Sequence, residues 1–181
     1  GGGVGISALQ TGGMGEGWSD FYASALLSEP TDDINGNYAV GGYDTYNFYG
    51  LTENYYFGIR RYPYTTDLLK NPLTFKDIDP TQASAHAGIP INPVIGGGGA
   101  DEVHNQGEVW CAALWEVRAN LIEKLDWAQG NELALQLVTD GLKLAPENAT
   151  FLEARDAIIQ ADAVATGGSA YEEIWFGFAK R

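Results

Sequence analysis

The chain has 181 residues, a length typical of a single domain. Its 24 acidic and 10 basic residues give a net charge of −14 at pH 7, which repels phosphate backbones and anionic lipids and so excludes nucleic acid and membrane surfaces as expected partners. A hydrophobic content of 45% excludes a disordered chain, and the single cysteine excludes an internal disulfide or a cysteine-based zinc knuckle.

The first predicted element is a helix from Met14 to Ser28, ended by Pro30. At about 100° per residue, Glu16 and Asp20 lie on one stripe of this helix, and apolar side chains cover most of its remaining surface. A helix that is apolar nearly all round is expected to be buried. Its two carboxylates then need partners, because unpaired buried charge is costly.

The middle of the chain, from Asp32 to Pro93, is rich in Tyr, Asn, Gly and Pro and has no sustained hydrophobic period. We therefore predict long loops with few short strands there, followed by a flexible link at Gly96–Gly99. The chain starts with a glycine-rich stretch, residues 1–5, of the kind typical of an interior loop. We therefore expect the chain to be a piece of a longer protein.

Four helices are predicted in the second half, over residues 103–125, 131–143, 151–165 and 170–178. Asn131 is the expected N-cap of the second of these helices. Thr150 and Glu153 have the spacing of a capping box at the start of the third. The predicted fold class is therefore mainly α, with a long loop-rich segment and few short strands.

Two explanations fit a carboxylate pair placed one turn apart on an apolar helix. In the first, Glu16 and Asp20 are buried acids satisfied by backbone donors or by an arginine. In the second, Glu16 binds a metal ion and Asp20 orients a neighbouring ligand. Zinc sites of the His₂Glu type combine one carboxylate with two imidazoles, and those imidazoles need hydrogen-bond acceptors of their own. The helix pattern alone leaves both explanations open.

Five blocks of the sequence are GGMGEGWSDF at 12–21, GIRRYPY at 58–64, NPLTF at 71–75, VHNQGEVW at 103–110 and TFLEARDA at 150–157. They resemble the fungalysin metallopeptidases, relatives of thermolysin, and they occur in the order found in that family. The first block resembles the helix that carries the third zinc ligand. The first and fourth blocks are the specific ones, and the others support them.

The resemblance implies a secreted, extracellular, zinc-dependent endopeptidase that hydrolyses peptide bonds of protein substrates. It also implies that this chain is a helical C-terminal subdomain of a thermolysin-like zinc peptidase. Glu16 matches the third zinc ligand, and Asp20 matches the acid that hydrogen-bonds a ligand histidine. His104 matches the histidine that stabilises the tetrahedral intermediate, with Asp101 as a candidate to orient it.

The chain departs from the family pattern because it contains no His-Glu-x-x-His motif, which supplies two zinc ligands and the general base. In the family, the helix with that motif lies shortly upstream of the glycine-rich segment with which this chain begins. The resemblance therefore implies that residues 1–181 are the C-terminal subdomain of a catalytic domain and are inactive alone. The implied partners are the N-terminal half of the same domain, an inhibitory propeptide and the peptide substrate.

Two details of the site stay open at the level of sequence. His86, His104 and Glu16 have the residue types of a zinc site, although no helical spacing fixes them together. Either Arg60 or Arg61 is a candidate to bind a backbone carbonyl of the substrate, as an arginine does in thermolysin-like enzymes, and the sequence does not distinguish the two.

Two other function classes also remain. One is a glycoside hydrolase with paired carboxylates, and the other is a non-catalytic binding or structural module. Paired catalytic acids of glycosidases flank the scissile bond from opposite sides, whereas Glu16 and Asp20 share one face of one helix. This placement favours the peptidase over the glycosidase.

Overall fold

A computed structural model of the chain describes residues 7–82, 86–97 and 99–181. The described residues form seven α-helices and one short 3₁₀ turn, and the 3₁₀ turn spans Phe75–Ile78. The helices are α1 (Leu9–Leu27), α2 (Gly42–Tyr49), α3 (Asn54–Phe57), α4 (Val103–Lys124), α5 (Trp127–Leu144), α6 (Phe151–Ala165) and α7 (Tyr171–Lys180).

Helix α4 is the centre of the fold. Every residue from 105 to 119 is buried, because α1, α5 and α7 pack around this helix. Trp110 lies at the middle of the core, with its ring 5.7 Å from that of Trp18, 5.0 Å from Phe151 and 5.4 Å from Phe178. These edge-on and tilted contacts are the arrangements that aromatic rings prefer. The core therefore joins α1 to the C-terminal helices through α4.

Helix α1 approaches α4 closely because glycines line the contact. A Cβ atom added to Gly17 would lie 2.4 Å from the carbonyl oxygen of Gly107, and one added to Gly13 would lie 2.6 Å from the Cβ of Gln106. The predicted start of this helix at Met14 is wrong, since α1 begins at Leu9 and runs through Gly12 and Gly13. The low helix propensity of glycine is overridden there by packing against α4.

The C-terminal half of the fold follows the predicted helices, with one correction. The capping box of Thr150 and Glu153 is present at the start of α6, which confirms that prediction. Asn131 is not an N-cap: α5 begins four residues earlier, and the side chain of Asp126 accepts the capping hydrogen bond from the backbone of Gln129. Asn131 is buried inside the helix, where its side chain accepts from Arg118.

The middle segment is loop-rich, as predicted, with only the short helices α2 and α3 and the 3₁₀ turn. Its strand content within the described ranges is a single antiparallel bridge between Tyr38 and Tyr64. The prediction of a mainly α fold is confirmed.

The predictions for residues 1–5 and for Gly98 of the glycine link lie outside the described residues. The carbonyls of Gly97 and Gly99, on either side of Gly98, accept hydrogen bonds from the Asn105 side chain.

The surface of the fold differs from prediction at the end of α1. Leu26 and Leu27 are 68% and 82% exposed, so the helix is not buried all round. The other side of this end is still held by its neighbours, since Ser28 Oγ accepts from Arg118 of α4 and the carbonyl of Ala25 accepts from Asn131 of α5. In the part of the chain that the structure describes, no helix is both long enough and apolar enough to cross a membrane.

Candidate metal centre

Helix α1 presents its two carboxylates one turn apart in different environments. The side chain of Asp20 is 6% exposed, whereas that of Glu16 is 39% exposed. Glu16 lies nearer the N-terminus of α1, beside the first turn of α4, and Asp20 lies deeper, against the segment that carries Arg60. The pair therefore combines one buried acid with one accessible acid.

Asp20 is held by two residues of the loop-rich segment. Arg60 donates two parallel hydrogen bonds to it, Nε to Oδ2 at 2.6 Å and Nη2 to Oδ1 at 2.9 Å, and the Tyr64 hydroxyl donates to Oδ2 at 2.5 Å. Burial raises the pKa of Tyr64 well above its ordinary value, which keeps the hydroxyl protonated and able to donate. Burial alone would lower the pKa of Arg60, but the hydrogen bond to Asp20 and the surrounding negative charges outweigh it and raise that pKa.

Glu16 lies between two basic side chains. Its Oε2 atom is 3.5 Å from Nη2 of Arg60 and 3.6 Å from Nε2 of His104. Both distances exceed ordinary hydrogen-bond lengths, so these contacts are loose ion pairs at a partly exposed position. The predicted juxtaposition of Glu16 and His104 is therefore present in the structure, and Arg60 completes the group.

His104 is oriented by Glu102 instead of Asp101, the residue suggested by the sequence. Nδ1 of the ring lies 2.5 Å from Oε1 of Glu102, and the other carboxylate oxygen caps α4 by accepting from the backbone of Asn105 at 2.9 Å. Burial would raise the pKa of Glu102, but the hydrogen bonds from His104 and Asn105 outweigh it, so that pKa is lowered. An ionised carboxylate only accepts, so Nδ1 carries the proton and Nε2 faces Glu16.

The structure separates the two arginines that the sequence left equivalent. Arg61 is buried in an ion pair with Glu108, with Nε of Arg61 2.8 Å from Oε2 of Glu108, and it is only 1% exposed. Its guanidinium also donates to the carbonyl of Asn105. Arg60 is the arginine whose guanidinium reaches the group around Glu16.

The donor chemistry fits a zinc site only in part. Glu16 is an accessible carboxylate of the kind that zinc accepts as a ligand. Throughout the described residues, no three His, Cys, Asp or Glu side chains form a group that could hold a metal ion. The alternative site of Glu16, His86 and His104 is therefore not formed, because His86 binds Asp77 at the 3₁₀ turn, with Nε2 2.7 Å from Oδ1.

Three residues of this site have little or no signal in the sequence. A glutamate is not among the favoured N-cap residues, so nothing marked Glu102 as the partner of His104. Tyr64 is one of many tyrosines in the loop-rich segment, and no local pattern distinguishes it from the others. Glu108 lies one helical turn after His104, and that spacing was the one available signal that the two share a face.

Comparison with known families identifies the family of the chain. Residues 1–181 match the family model described as "Fungalysin metallopeptidase (M36)". The chain therefore belongs to the fungalysin metallopeptidase family, which confirms the resemblance of the five sequence blocks.

The chain is also similar to individual proteins that are named extracellular metalloproteinases. The chain is 38% identical to an "Extracellular metalloproteinase" of Pyrenophora tritici-repentis over 97% of its own length and 25% of that protein. It has the same identity and 97% coverage with "Extracellular metalloproteinase 1" of Trichophyton equinum and "Extracellular metalloproteinase mep" of Aspergillus fumigatus, covering 26% of each. The chain thus spans about a quarter of the length of these relatives.

Proposed function

We propose that this chain is the helical C-terminal subdomain of the catalytic domain of a zinc-dependent endopeptidase that hydrolyses peptide bonds of protein substrates. The observation that carries the proposal is the position of Glu16, an accessible carboxylate with Arg60 on one side and His104 on the other. A carboxylate with a guanidinium and an imidazole each within 4 Å of it offers a metal ligand and two groups that stabilise negative charge.

In this proposal, Glu16 is one of three protein ligands to zinc, and two imidazoles come from the N-terminal half of the domain. When bound, the zinc polarises the scissile carbonyl and makes a bound water more acidic. Asp20 orients one of the ligand imidazoles. A carboxylate oxygen can accept two hydrogen bonds, and Oδ1 of Asp20 accepts one from Arg60, so it retains the capacity for an imidazole N–H.

His104 and Arg60 act on the substrate. With Nδ1 committed to Glu102, a protonated His104 ring donates from Nε2 to the oxygen that becomes negatively charged when the peptide carbonyl is attacked. Arg60 is held rigidly by Asp20 and binds a backbone carbonyl of the peptide. Arg61 is not given that role, because its guanidinium bonds to Glu108 and to the carbonyl of Asn105, whereas that of Arg60 reaches the accessible Glu16.

The complete protein is proposed to act outside the cell, which the names of its relatives support. Residues 1–181 are proposed to work together with the N-terminal half of the catalytic domain, to be inactive alone and to be controlled by an inhibitory propeptide. A glycosidase is not favoured, since Asp20 is buried and both its oxygens accept hydrogen bonds from Arg60 and Tyr64.

The test uses the full-length gene product that contains this chain. We expect one zinc ion per chain by elemental analysis, chelator-sensitive hydrolysis of casein, and loss of zinc in Glu16→Ala. His86→Ala is the matched control and should retain zinc, because that ring binds Asp77. His104→Ala should also retain zinc but lose about 10²–10³-fold in kcat. Undiminished zinc in Glu16→Ala, or hydrolysis that resists chelators, refutes the proposal.

A further inference from the structure

We propose that the buried ion pair between Arg61 and Glu108 is a positioning device that fixes Arg60 and His104 relative to each other, a role that rests on the proposed peptidase function. Both side chains of the pair are 2% exposed, so neither touches substrate. They act through their neighbours in sequence: Arg61 follows Arg60, and Glu108 lies one helical turn after His104.

The contacts of the pair tie the two segments at three points. Oε1 of Glu108 accepts from the backbone N–H of Arg61 at 2.7 Å, and Oε2 accepts from Nε of the same residue at 2.8 Å. Nη2 of Arg61 then donates to the carbonyl of Asn105 at 3.0 Å. The bonds therefore join Arg61, the residue after Arg60, to Asn105, the residue after His104, and to Glu108.

A second set of bonds holds the opposite side of the arginine segment. The side-chain amide of Asn92 donates to the carbonyls of Gly58 and Arg60, at 3.1 and 3.0 Å, and its backbone N–H donates to the carbonyl of Arg61 at 2.9 Å. The segment is thus clamped between Asn92 and Glu108. It keeps little freedom to move relative to α4.

An ion pair specifies geometry in a way that apolar packing does not. A guanidinium donates in fixed directions within one plane, so its bonds to a carboxylate and a carbonyl set both distance and angle. Replacing a buried ion pair by uncharged groups often leaves a protein folded and equally stable. Stability alone therefore does not account for two buried charges at this point.

The same helix carries a matched control. Glu116 lies eight residues after Glu108 on α4 and is also 2% exposed. It accepts from Nε of Arg181 at 2.9 Å and from Nζ of Lys180 at 2.8 Å, and it links α4 to the end of α7. Neither of those partners is adjacent in sequence to Arg60 or His104. Removing its charge therefore perturbs a similar buried pair without moving the site.

The experiment measures kcat, KM, zinc content and thermal stability of the full-length gene product with Glu108→Gln, Glu116→Gln and the double variant Arg61→Met/Glu108→Gln. The glutamine keeps an oxygen for the backbone N–H of residue 61. The methionine removes the positive charge of Arg61, which Glu108→Gln alone would leave without its partner. We expect Glu108→Gln to lower kcat at least 10-fold, with KM changed by less than about 3-fold and zinc retained, since misplacing a catalytic group by about 1 Å costs up to 10²-fold. Glu116→Gln should lose similar stability but keep its kcat within about 2-fold.

The double variant separates positioning from stabilisation. We expect it to regain thermal stability relative to Glu108→Gln while its kcat stays low. A double variant that regains both overturns the inference, as does a Glu108→Gln protein with the kcat of Glu116→Gln. If Glu108→Gln does not fold, the double variant decides alone. A wild-type protein without zinc-dependent hydrolysis refutes the proposed function instead, and this outcome is read from the wild type before any variant.

Discussion

Arg60 and Asp20 are joined by two parallel hydrogen bonds in a buried position, although they are 40 residues apart in sequence. The pair connects the first helix to the loop-rich segment and sets the place of the only arginine that reaches Glu16 among the described residues. Paired geometry of this kind holds a guanidinium plane in one orientation. Helix α1 and the arginine therefore form one rigid unit.

Removing the charge of Asp20 should destabilise the fold strongly. In Asp20→Asn, Arg60 would remain buried, with a side-chain exposure of 9%, and would lose its compensating charge. Breaking one partner of a buried ion pair costs about 3–5 kcal/mol. We expect a loss of that size in the free energy of unfolding, measured by urea titration of the purified protein.

Tyr64→Phe is the matched comparison for that variant. It deletes only the hydroxyl that donates to Oδ2 of Asp20, and that oxygen keeps its bond from Arg60. The expected loss is about 0.5–1.5 kcal/mol, the usual value for one hydrogen bond. Equal losses for Asp20→Asn and Tyr64→Phe would show that the ion pair carries no special share of the stability.

The close contact between α1 and α4 gives a second prediction. A methyl group at Gly17 would lie 2.4 Å from the carbonyl oxygen of Gly107, a distance that forces the helices apart. Gly17→Ala should therefore destabilise the protein by about 1–3 kcal/mol, although alanine is the better helix former. The measurement is again the free energy of unfolding.

Gly15 provides the control on the same helix. A Cβ atom added there meets nothing within 4 Å, so Gly15→Ala should be neutral or stabilising by up to about 1 kcal/mol. The two substitutions are identical and lie two residues apart, but we expect them to change the free energy of unfolding in opposite directions. The comparison therefore separates the effect of packing from that of helix propensity. A stabilising Gly17→Ala would mean that the helices are not in the close contact described.

Much of the fold follows from local sequence signals. Helix α4 was predicted over residues 103–125 and is found at Val103–Lys124, because its apolar period is long and regular. The capping box of Thr150 and Glu153 marks the start of α6, since both hydrogen bonds of that motif are made within four residues. The one-turn spacing of Glu16 and Asp20 likewise follows from helix geometry alone.

The remaining features depend on contacts between distant segments. The pair Gly12 and Gly13 is locally typical of a helix end, yet α1 runs through both residues. The reason is the packing against α4, which leaves no room for a side chain at Gly13. Arg60 and Arg61 are chemically identical in sequence, and only the fold directs one to Asp20 and the other to Glu108. No local pattern encodes that choice, because adjacent residues of an irregular segment face different partners.

The lowered pKa of Glu102 gives a prediction for pH dependence. The ionised carboxylate is favoured in the folded state by its bonds to His104 and to the backbone of Asn105. The folded protein therefore binds fewer protons than the unfolded chain between the two pKa values, and stability rises with pH in that interval. This contribution is fully present above the ordinary glutamate pKa, about 4.3, and is lost as the pH falls through the lowered value.

Glu102→Gln removes the charge and keeps one oxygen as a cap. At pH 5.5 to 6 it should lower the free energy of unfolding by about 0.3–1 kcal/mol, the usual value of a negative charge at a helix N-terminus. The difference from wild type should shrink towards zero as the pH falls through the lowered pKa of Glu102, since the wild-type carboxyl is then protonated as well. Glu123→Gln near the other end of α4 is the control, and it should be neutral or slightly stabilising because a negative charge is unfavourable there. If the difference in the free energy of unfolding between Glu102→Gln and wild type stays constant from pH 6 to 3, the carboxylate does not stabilise the helix through its charge.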